Sequence, residues 1–101
     1  MTGRKRQAYD SFCRDLLQHA SDRLERLRSS VERRGEEERL DLERALDELR
    51  GRRNRLMARV EAARQASDDA WPFARAQADQ AVGDLVGGLD ELENRLQRAA
   101  A

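Results

Sequence analysis

The sequence predicts an all-α protein, and two observations predict it: the composition and the spacing of the apolar residues. Of 101 residues, 40% are charged and only 4% are aromatic, and 20 basic side chains balance 20 acidic ones. Alanine, arginine, leucine and glutamate dominate, as they do in long helices and coiled coils. Residues with β-branched side chains, which favour strands, are limited to four valines and one threonine. A sheet protein is therefore excluded, and residues 1–101 are expected to form a single helical domain.

Apolar residues recur in steps of four, three and four over the first two thirds of the chain. This spacing is close to the α-helical period, and a repeat of eleven residues indicates a nearly straight or weakly right-handed hendecad coiled coil. It predicts one long helix over 7–66, after a basic, flexible start at 1–6. The stripe consists of Tyr9, Cys13, Leu16, Ala20, Leu24, Leu27, Val31, Gly35, Glu38, Leu42, Leu46, Leu49, Arg53, Met57 and Val60.

Gly35 is the position where this long helix could end, because an interior glycine costs up to about 1 kcal/mol relative to alanine. However, no residue of a type that starts helices lies beside it, and the stripe keeps its phase from Val31 to Leu42. A continuous helix is therefore the first expectation. The alternative is a break at Gly35, which would give a compact three-helix bundle.

A bend is predicted at 67–71, in the segment Ser-Asp-Asp-Ala-Trp that precedes Pro72. Proline disfavours helical geometry at the residue before it, and Asp69 as N-cap would place Pro72 in the first turn of the next helix, where its missing N–H does no harm. A second apolar stripe then predicts a helix over 70–98, and it consists of Ala74, Ala78, Val82, Leu85, Leu89, Leu92 and Leu96. The fold class predicted is thus a long antiparallel helical hairpin that self-associates into a helical bundle.

Four residues near this bend and in the second helix have both a structural and a functional interpretation. Trp71 and Phe73 are expected to plug the end of the hairpin by burial, and a ligand platform is the alternative. Gly83 and Gly87, like Gly88, are expected simply to weaken the second helix. Their alternative is a close backbone approach to a neighbouring helix.

The unequal lengths of the two helices predict self-association. At about 1.5 Å per residue, the first helix would span roughly 90 Å and the second roughly 42 Å. Folded back from the bend, the second helix would reach only to about Glu38. A homo-oligomer, a dimer or a tetramer, is therefore expected to cover the rest of the first helix, and helices of partner proteins could cover it too. The side chains predicted to mediate self-association are Tyr9, Phe12, Cys13, Leu16, Leu17, Leu24, Leu27 and Val31.

No cluster of residues predicts catalysis, a cofactor or a metal. The single histidine, His19, and the single cysteine, Cys13, lie on different faces of a helix, and metal and catalytic sites need several convergent side chains. We expect a protein that is not an enzyme, with Cys13 as a small core residue and His19 exposed or at the boundary. The three glutamates at 36–38 are interpreted as a solvated charge run.

The sequence also restricts location and partners. It contains no spanning apolar run and no signal peptide, so a cytoplasmic location is expected. A net charge of zero disfavours nucleic acid and membrane surfaces as partners. The local exception is the arginine-rich stretch 50–64, where Arg52, Arg55 and Arg59 share a helix face and are candidate anion-binding residues. They could bind nucleic acid or a lipid or inclusion surface, although a solvated or ion-paired face is the favoured interpretation.

The order of features along the chain is also that of a known family. Tyr9 opens a long charged helix, the stretch LERALDELRGRRNRL lies at 42–56, the Ser-x-x-Ala-Trp bend follows at 67–71, and an Ala-rich helix begins at Ala74. In this layout the chain resembles a family of small bacterial coiled-coil, helical-hairpin proteins linked to stress responses. The family usually has glycine where this chain has Asp68. The resemblance implies a helical hairpin and a structural, stress-related scaffold role, and it implies no catalytic residue.

Overall fold

Three helices of nearly equal length make up the fold. In a computed structural model that describes residues 2–100, they are α1 (Thr2–Glu32), α2 (Glu36–Gln65) and α3 (Trp71–Ala100). About 30 residues at 1.5 Å each give roughly 45 Å of helix, in agreement with a molecule of 53 × 17 × 16 Å. The predicted all-α fold is confirmed, and the helices form a bundle in which α1 and α3 run parallel and α2 runs antiparallel to both.

The prediction of one continuous helix over 7–66 is wrong, because α1 ends at Glu32 and α2 begins at Glu36. Gly35 is the N-cap of α2, with φ −64° and ψ 159°. Folding back at 33–35 lets α1 bury its apolar stripe against α2 and α3 of its own chain. That burial outweighs the few helical hydrogen bonds that the break removes. The architecture observed is the three-helix alternative.

Charged residues on both sides of the connection support the break. The first turn of α2 contains the three acidic residues 36–38, and negative charge is favourable at the positive end of the helix dipole. The run is therefore more than a solvated face. Before it, the Arg34 side chain donates a hydrogen bond to the carbonyl oxygen of Leu96 at 2.6 Å, which ties the connection to the far end of α3.

The core face of α2 follows a seven-residue repeat. Leu42, Leu49, Leu56 and Ala63 succeed one another at this interval, and all four are buried. Met57, which the predicted stripe places in the core, is 52% exposed, and Leu56 takes that place with no exposed surface. The assignment of Met57 to the core is wrong because the seven-residue repeat keeps one apolar face turned toward both neighbouring helices along α2.

The connection between α2 and α3 is capped by a serine. The carbonyl oxygen of Ser67 accepts a hydrogen bond from the N–H of Trp71 at 2.9 Å, and its hydroxyl accepts one from the N–H of Ala70 at 3.3 Å. Ser67 therefore takes the capping role expected of Asp69. Pro72 lies in the first turn of α3, as predicted.

The two aromatic residues at this bend have opposite environments. Trp71 is only 8% exposed, whereas Phe73 is 71% exposed. Two positions apart on a helix, their side chains point in nearly opposite directions, so only one of them can face the core. The prediction of burial is confirmed for Trp71 and wrong for Phe73.

Gly88 is the glycine at which α3 approaches α2 closely. A Cβ atom on Gly88 would lie 2.5 Å from Cδ2 of Leu49 and 2.8 Å from Nη1 of Arg52, whereas one on Gly83 or Gly87 would meet nothing within 4 Å. A close approach at Gly83 and Gly87 is therefore wrong, and the feature belongs to Gly88.

The core runs the length of the bundle. Among the described residues, those that are buried are apolar, apart from glycine, and no polar or charged side chain is buried with them. No helix within residues 2–100 contains a stretch of 18 residues apolar enough to cross a membrane.

Candidate functional site

A cluster of aromatic and arginine side chains closes one end of the bundle, where α1 begins, α2 ends and α3 begins. The rings of Tyr9 and Trp71 meet edge to face, with centroids 6.2 Å apart and planes at 89°. The guanidinium carbon of Arg75 lies 4.9 Å from the Tyr9 ring centre and 5.5 Å from that of Trp71, and Arg6 lies 5.9 Å from Trp71. These are cation–π distances. The chain's own arginines therefore cover the aromatic surface that a ligand platform would need.

The hydroxyl of Tyr9 lies partly buried in this cluster. It donates a hydrogen bond to Oδ1 of Asp79 at 2.6 Å. Burial, the bond to Asp79 and the nearby Cys13 raise the pKa of Tyr9 well above its ordinary value of 10.0. Burial also raises the pKa of the Cys13 thiol, which has no exposed surface. Cys13 is thus a core residue, as predicted, and is held in its unreactive thiol form.

We expect the Tyr9 phenol to stay protonated at about pH 11 for as long as the protein is folded. Folding raises the pKa of Tyr9 above 10.0, the value for an exposed tyrosine. Its contribution to the free energy of unfolding is therefore complete at pH values below 10.0 and is lost as the pH rises further. Tyr9 is the only tyrosine, so tyrosinate absorbance reports on this group alone. Its titration should coincide with unfolding by circular dichroism, and Tyr9→Phe should flatten the alkaline fall in the free energy of unfolding. A tyrosinate signal near about pH 10 in folded protein would contradict this.

A cleft of about 610 Å³ lies beside the cluster, between the start of α1 and the end of α2. Arg6 reaches from α1 to the end of α2 and donates hydrogen bonds to the carbonyl oxygens of Ala63 at 3.0 Å, Arg64 at 3.2 Å and Ala66 at 2.7 Å. Carbonyl groups at the end of a helix lack donors within that helix. Arg6 therefore caps α2 from α1, and it also forms an ion pair with Asp68 at 3.1 Å.

Asp10 makes a second ionic contact between these helices. Its carboxylate accepts hydrogen bonds from Arg14 of α1 at 2.6 Å and from Arg64 of α2 at 3.0 Å. Partial burial acts to raise the pKa of Asp10, but the two guanidinium groups outweigh it and hold that pKa below its usual value. The paired charges of this cleft thus hold α1 against α2.

Most of the residues predicted to mediate self-association are covered by the chain's own helices. The length mismatch on which that prediction depends disappears with the break at 33–35, so these residues cannot meet a second chain while the bundle is closed. Self-association through these residues would require α1 to leave the closed bundle, and it stays a prediction. Of the remaining three, Leu16 and Leu17 are half-buried and Phe12 is 52% exposed. The covered residues are Tyr9, Cys13, Leu24, Leu27 and Val31.

Two polar cross-links fix the register of α1 against α3. At one level, Tyr9 bonds to Asp79. Farther along the pair, Arg23 forms ion pairs with Asp90 at 2.8 Å and Glu93 at 2.9 Å. Between these two levels, residues on the face of α1 next to α3 and residues on the face of α3 next to α1 therefore line the same groove.

Helix register places apolar residues along this groove between the cross-links. Because α1 and α3 are parallel, residues at equal distances from Tyr9 and Asp79 lie at equal heights: Phe12 with Val82, and Leu16 with Val86. Leu16, Val82 and Val86 are each half-buried. We call these four residues the α1–α3 strip.

The predicted anion-binding arginines do not act as one group. Arg52 donates hydrogen bonds to the carboxylate of Glu48 at 2.7 Å and to the carbonyl oxygen of Asp84 at 2.8 Å. Its charge is therefore paired, and its side chain bridges α2 and α3.

Arg55 and Arg59 differ from Arg52 in being exposed, and neither forms an ion pair within the part of the chain that the structure describes. Together with Gln77, Gln80, Ala81 and the acidic Asp84 of α3 they line a cleft of about 270 Å³. Phe73 lies one helical turn before Gln77, on the same face of α3. We call Arg55, Arg59, Gln77 and Gln80 the α2–α3 groove.

Within residues 2–100, no three side chains of His, Cys, Asp or Glu come close enough together to hold a metal ion. Comparison with known proteins finds no matching family model, no matching curated protein and no matching solved structure. The strip, the groove and the bundle-end cluster are therefore the features that bear on function.

Three residues of the bundle-end cluster were not predictable as partners. Arg75 and Asp79 are four positions apart on α3 and 3.8 Å from each other, so their spacing indicates a shared face. Nothing in the sequence shows that this face meets Tyr9, because that contact depends on α1 folding back. The same holds for Arg6, whose acceptors lie at the far end of α2.

Proposed function

We propose that this protein is a structural interaction module that acts by helix–helix association. Its docking surface is the α1–α3 strip, and its occupant is an amphipathic helix of a partner protein. The observation that carries the proposal is the 52% exposure of Phe12. Large aromatic side chains contribute strongly to association when they are buried, and only 4% of this chain is aromatic. An exposed phenylalanine beside three half-buried apolar residues therefore supports a role in binding.

The shape and charge of the strip support a helical occupant. A helix that lies along two others contacts them about once per turn, which is the spacing from Phe12 to Leu16 and from Val82 to Val86. The cross-link of Arg23 with Asp90 and Glu93 offers side chains of both signs at one end of the strip, and Asp79 offers a carboxylate at the other. These charges would set the register of a charged amphipathic helix. A scaffold role in the stress response, as the family resemblance implies, and a cytoplasmic location belong to this proposal.

The test is a selection of displayed amphipathic helical peptides on the folded protein. We expect enriched peptides with apolar residues at helical spacing, whose binding shifts the NMR signals of Phe12, Leu16, Val82 and Val86. Phe12→Ser should weaken the binding of these peptides by about tenfold or more, as expected for an aromatic residue at the centre of an interface. Met57→Ser is the matched control, because Met57 is also 52% exposed but lies on α2. Equal loss in both variants, or no enrichment at all, would contradict the strip as the docking surface.

A second function, binding of single-stranded nucleic acid, is favoured by the α2–α3 groove. Arg55 and Arg59 offer charge for phosphates, and Gln77 and Gln80 offer hydrogen bonds. Phe73, which is 71% exposed and lies one helical turn before Gln77, would supply an aromatic face for a base next to the cleft. The sequence alone shows no aromatic residue among these arginines, because Phe73 comes from another helix.

Fluorescence anisotropy with a labelled single-stranded oligonucleotide at low salt tests this second function. We expect binding that weakens as salt rises, and that the double variant Arg55→Gln/Arg59→Gln removes. The control is Arg44→Gln/Arg98→Gln, which changes the net charge equally at two other exposed arginines. An equal loss of oligonucleotide binding in both double variants would show that net charge alone causes the binding and would contradict a role for the groove. Binding to anionic vesicles, but not to the oligonucleotide, would assign the groove to a lipid surface.

A further inference from the structure

The connection between α1 and α2 is short and close to helical geometry. It comprises residues 33–35, and no residue within 2–100 has a positive φ. The φ of Gly35, −64°, already has the α-helical value, so that a rotation of its ψ from 159° to about −42° would make it helical. The N–H groups of Arg33 and Arg34 already bond three residues back, to Ser30 at 3.3 Å and to Val31 at 3.0 Å. Few backbone changes therefore separate the bent connection from a straight one.

Space and capping at Gly35 also allow the straight form. A Cβ atom there would meet nothing within 4 Å, and no side chain caps the N-terminus of α2. Straightening would remove one helix end on each side of the connection, and helix ends carry backbone groups without helical partners.

The apolar faces of α1 and α2 are in phase across the connection. Val31, the last buried residue of α1, and Leu42, the first of α2, are eleven positions apart. Eleven residues make three helical turns, so in a straight helix both side chains lie on the same face. A straight α1–α2 helix would thus present one apolar face over its whole length, roughly 95 Å at 1.5 Å per residue.

If α1 swings away in this manner, it leaves the surface of α2 and α3 that it covers in the closed bundle. That surface is specific for the sequence of α1. The carbonyl oxygens at the end of α2 accept hydrogen bonds from Arg6. On α3, Asp79 accepts a hydrogen bond from Tyr9 and Asp90 accepts one from Arg23. The occupant that satisfies all of these groups is α1 of a second copy.

We infer that the chain forms a domain-swapped dimer in which α1 of each copy packs on α2 and α3 of the other, through a straightened α1–α2 helix. Every contact between α1 and the other two helices is then remade between chains, which is why swapping is a low-cost route to a dimer. The inference shares helix–helix association with the proposed function, but it uses the buried face of α1 rather than the α1–α3 strip.

Two substitutions at Gly35 test the inference. Gly35→Ala introduces the best helix former and a poor N-cap, which favours the straight helix. Gly35→Ser introduces a good N-cap, and its pairing with Glu38 three residues on completes a capping box that favours the bend. Both fit the open space at this position.

Size-exclusion chromatography with light scattering gives the readout, with one chain at 11.6 kDa and the dimer at twice that mass. Because each dimer contains two connections, we expect its dissociation constant to differ between the two variants by about tenfold or more, with Gly35→Ala the tighter. Monomers at all concentrations in both variants, or dimers that respond equally to both, would overturn the inference.

Cross-linking distinguishes a swapped dimer from one that pairs by its surface. Asp10 and Arg64 face each other across α1 and α2, so cysteines placed there in a Cys13→Ser background can be joined by a short bifunctional maleimide. The dimer fraction should give covalent dimers on a denaturing gel, and the monomer fraction should give links within one chain. Links confined to single chains in the dimer would overturn the swap. Phe12→Ser should leave the swapped dimer intact, so failure of the α1–α3 strip and failure of the swap are separate results.

Discussion

Trp71→Ala is expected to lower the free energy of unfolding by about 3–5 kcal/mol, the usual cost of truncating a buried aromatic residue. Trp71 is 8% exposed and is the only tryptophan. Its ring packs edge to face on Tyr9, and the guanidinium carbons of Arg6 and Arg75 lie 5.9 Å and 5.5 Å from its centre. The variant therefore loses buried area, one aromatic pair and two cation–π contacts at the same place. For a domain with about 5–15 kcal/mol of stability, this is a large share.

The control for Trp71→Ala is two residues away. Phe73→Ala removes an aromatic ring, smaller than that of Trp71, that is 71% exposed, so the free energy of unfolding should stay within about 0.5 kcal/mol of the unchanged protein. Urea unfolding followed by far-ultraviolet circular dichroism measures both variants, since the fluorescence signal is lost with Trp71. Equal costs for the two variants, or a greater cost for Phe73→Ala, would contradict the burial assigned to this end of the bundle.

The sequence predicted helical faces well because apolar spacing is a local property. Most of the stripe from Tyr9 to Val31 is buried as predicted, and so are Leu85, Leu89 and Leu92 of the second stripe. A helix that hides one face from water must place its apolar residues on that face, whichever helices cover it. The prediction of which face of a helix is buried is therefore correct for both a two-helix and a three-helix arrangement.

The break at 33–35 was not predictable from the same information, because the bent and straight forms share one apolar pattern. Phase continuity from Val31 to Leu42 is compatible with both. The signal that favours the bend is the acidic run at 36–38, which suits the first turn of a new helix. Its contribution is small beside the burial of α1, and that burial depends on contacts between residues far apart in the chain.

The candidate sites were still less predictable, because each of them combines residues that lie far apart in the sequence. Arg59 and Gln77 of the α2–α3 groove come together only when the helices pack. The same packing brings Phe12 and Val82 of the α1–α3 strip to the same level. The sequence also does not show which arginines of 50–64 form ion pairs or hydrogen bonds and which do not. Arg52 is bound by a carbonyl group of α3, which no pattern along α2 indicates.

Gly88→Leu is expected to lower the free energy of unfolding by about 1–3 kcal/mol, the usual range for overpacking a close contact. Gly88 is buried where α3 meets α2, and even a Cβ atom there would lie 2.5 Å from Leu49 and 2.8 Å from Arg52. Leu49 is itself 4% exposed, so its side chain has little space to move aside. A leucine at Gly88 must therefore push the two helices apart or displace Leu49 from the core.

Gly87→Leu separates this steric cost from the effect of removing a helical glycine. Gly87 is exposed and nothing lies within 4 Å of a Cβ atom there, so leucine should raise the free energy of unfolding by about 0.5–1 kcal/mol through its higher helix propensity. Neighbouring glycines in one helix are thus expected to respond with opposite signs in the same urea titration. Gly88→Ala should fall between them, because its gain in helix propensity is set against the displacement of Leu49 and of the Arg52 guanidinium. A rise in stability for Gly88→Leu equal to that for Gly87→Leu would show that α3 does not approach α2 at Gly88.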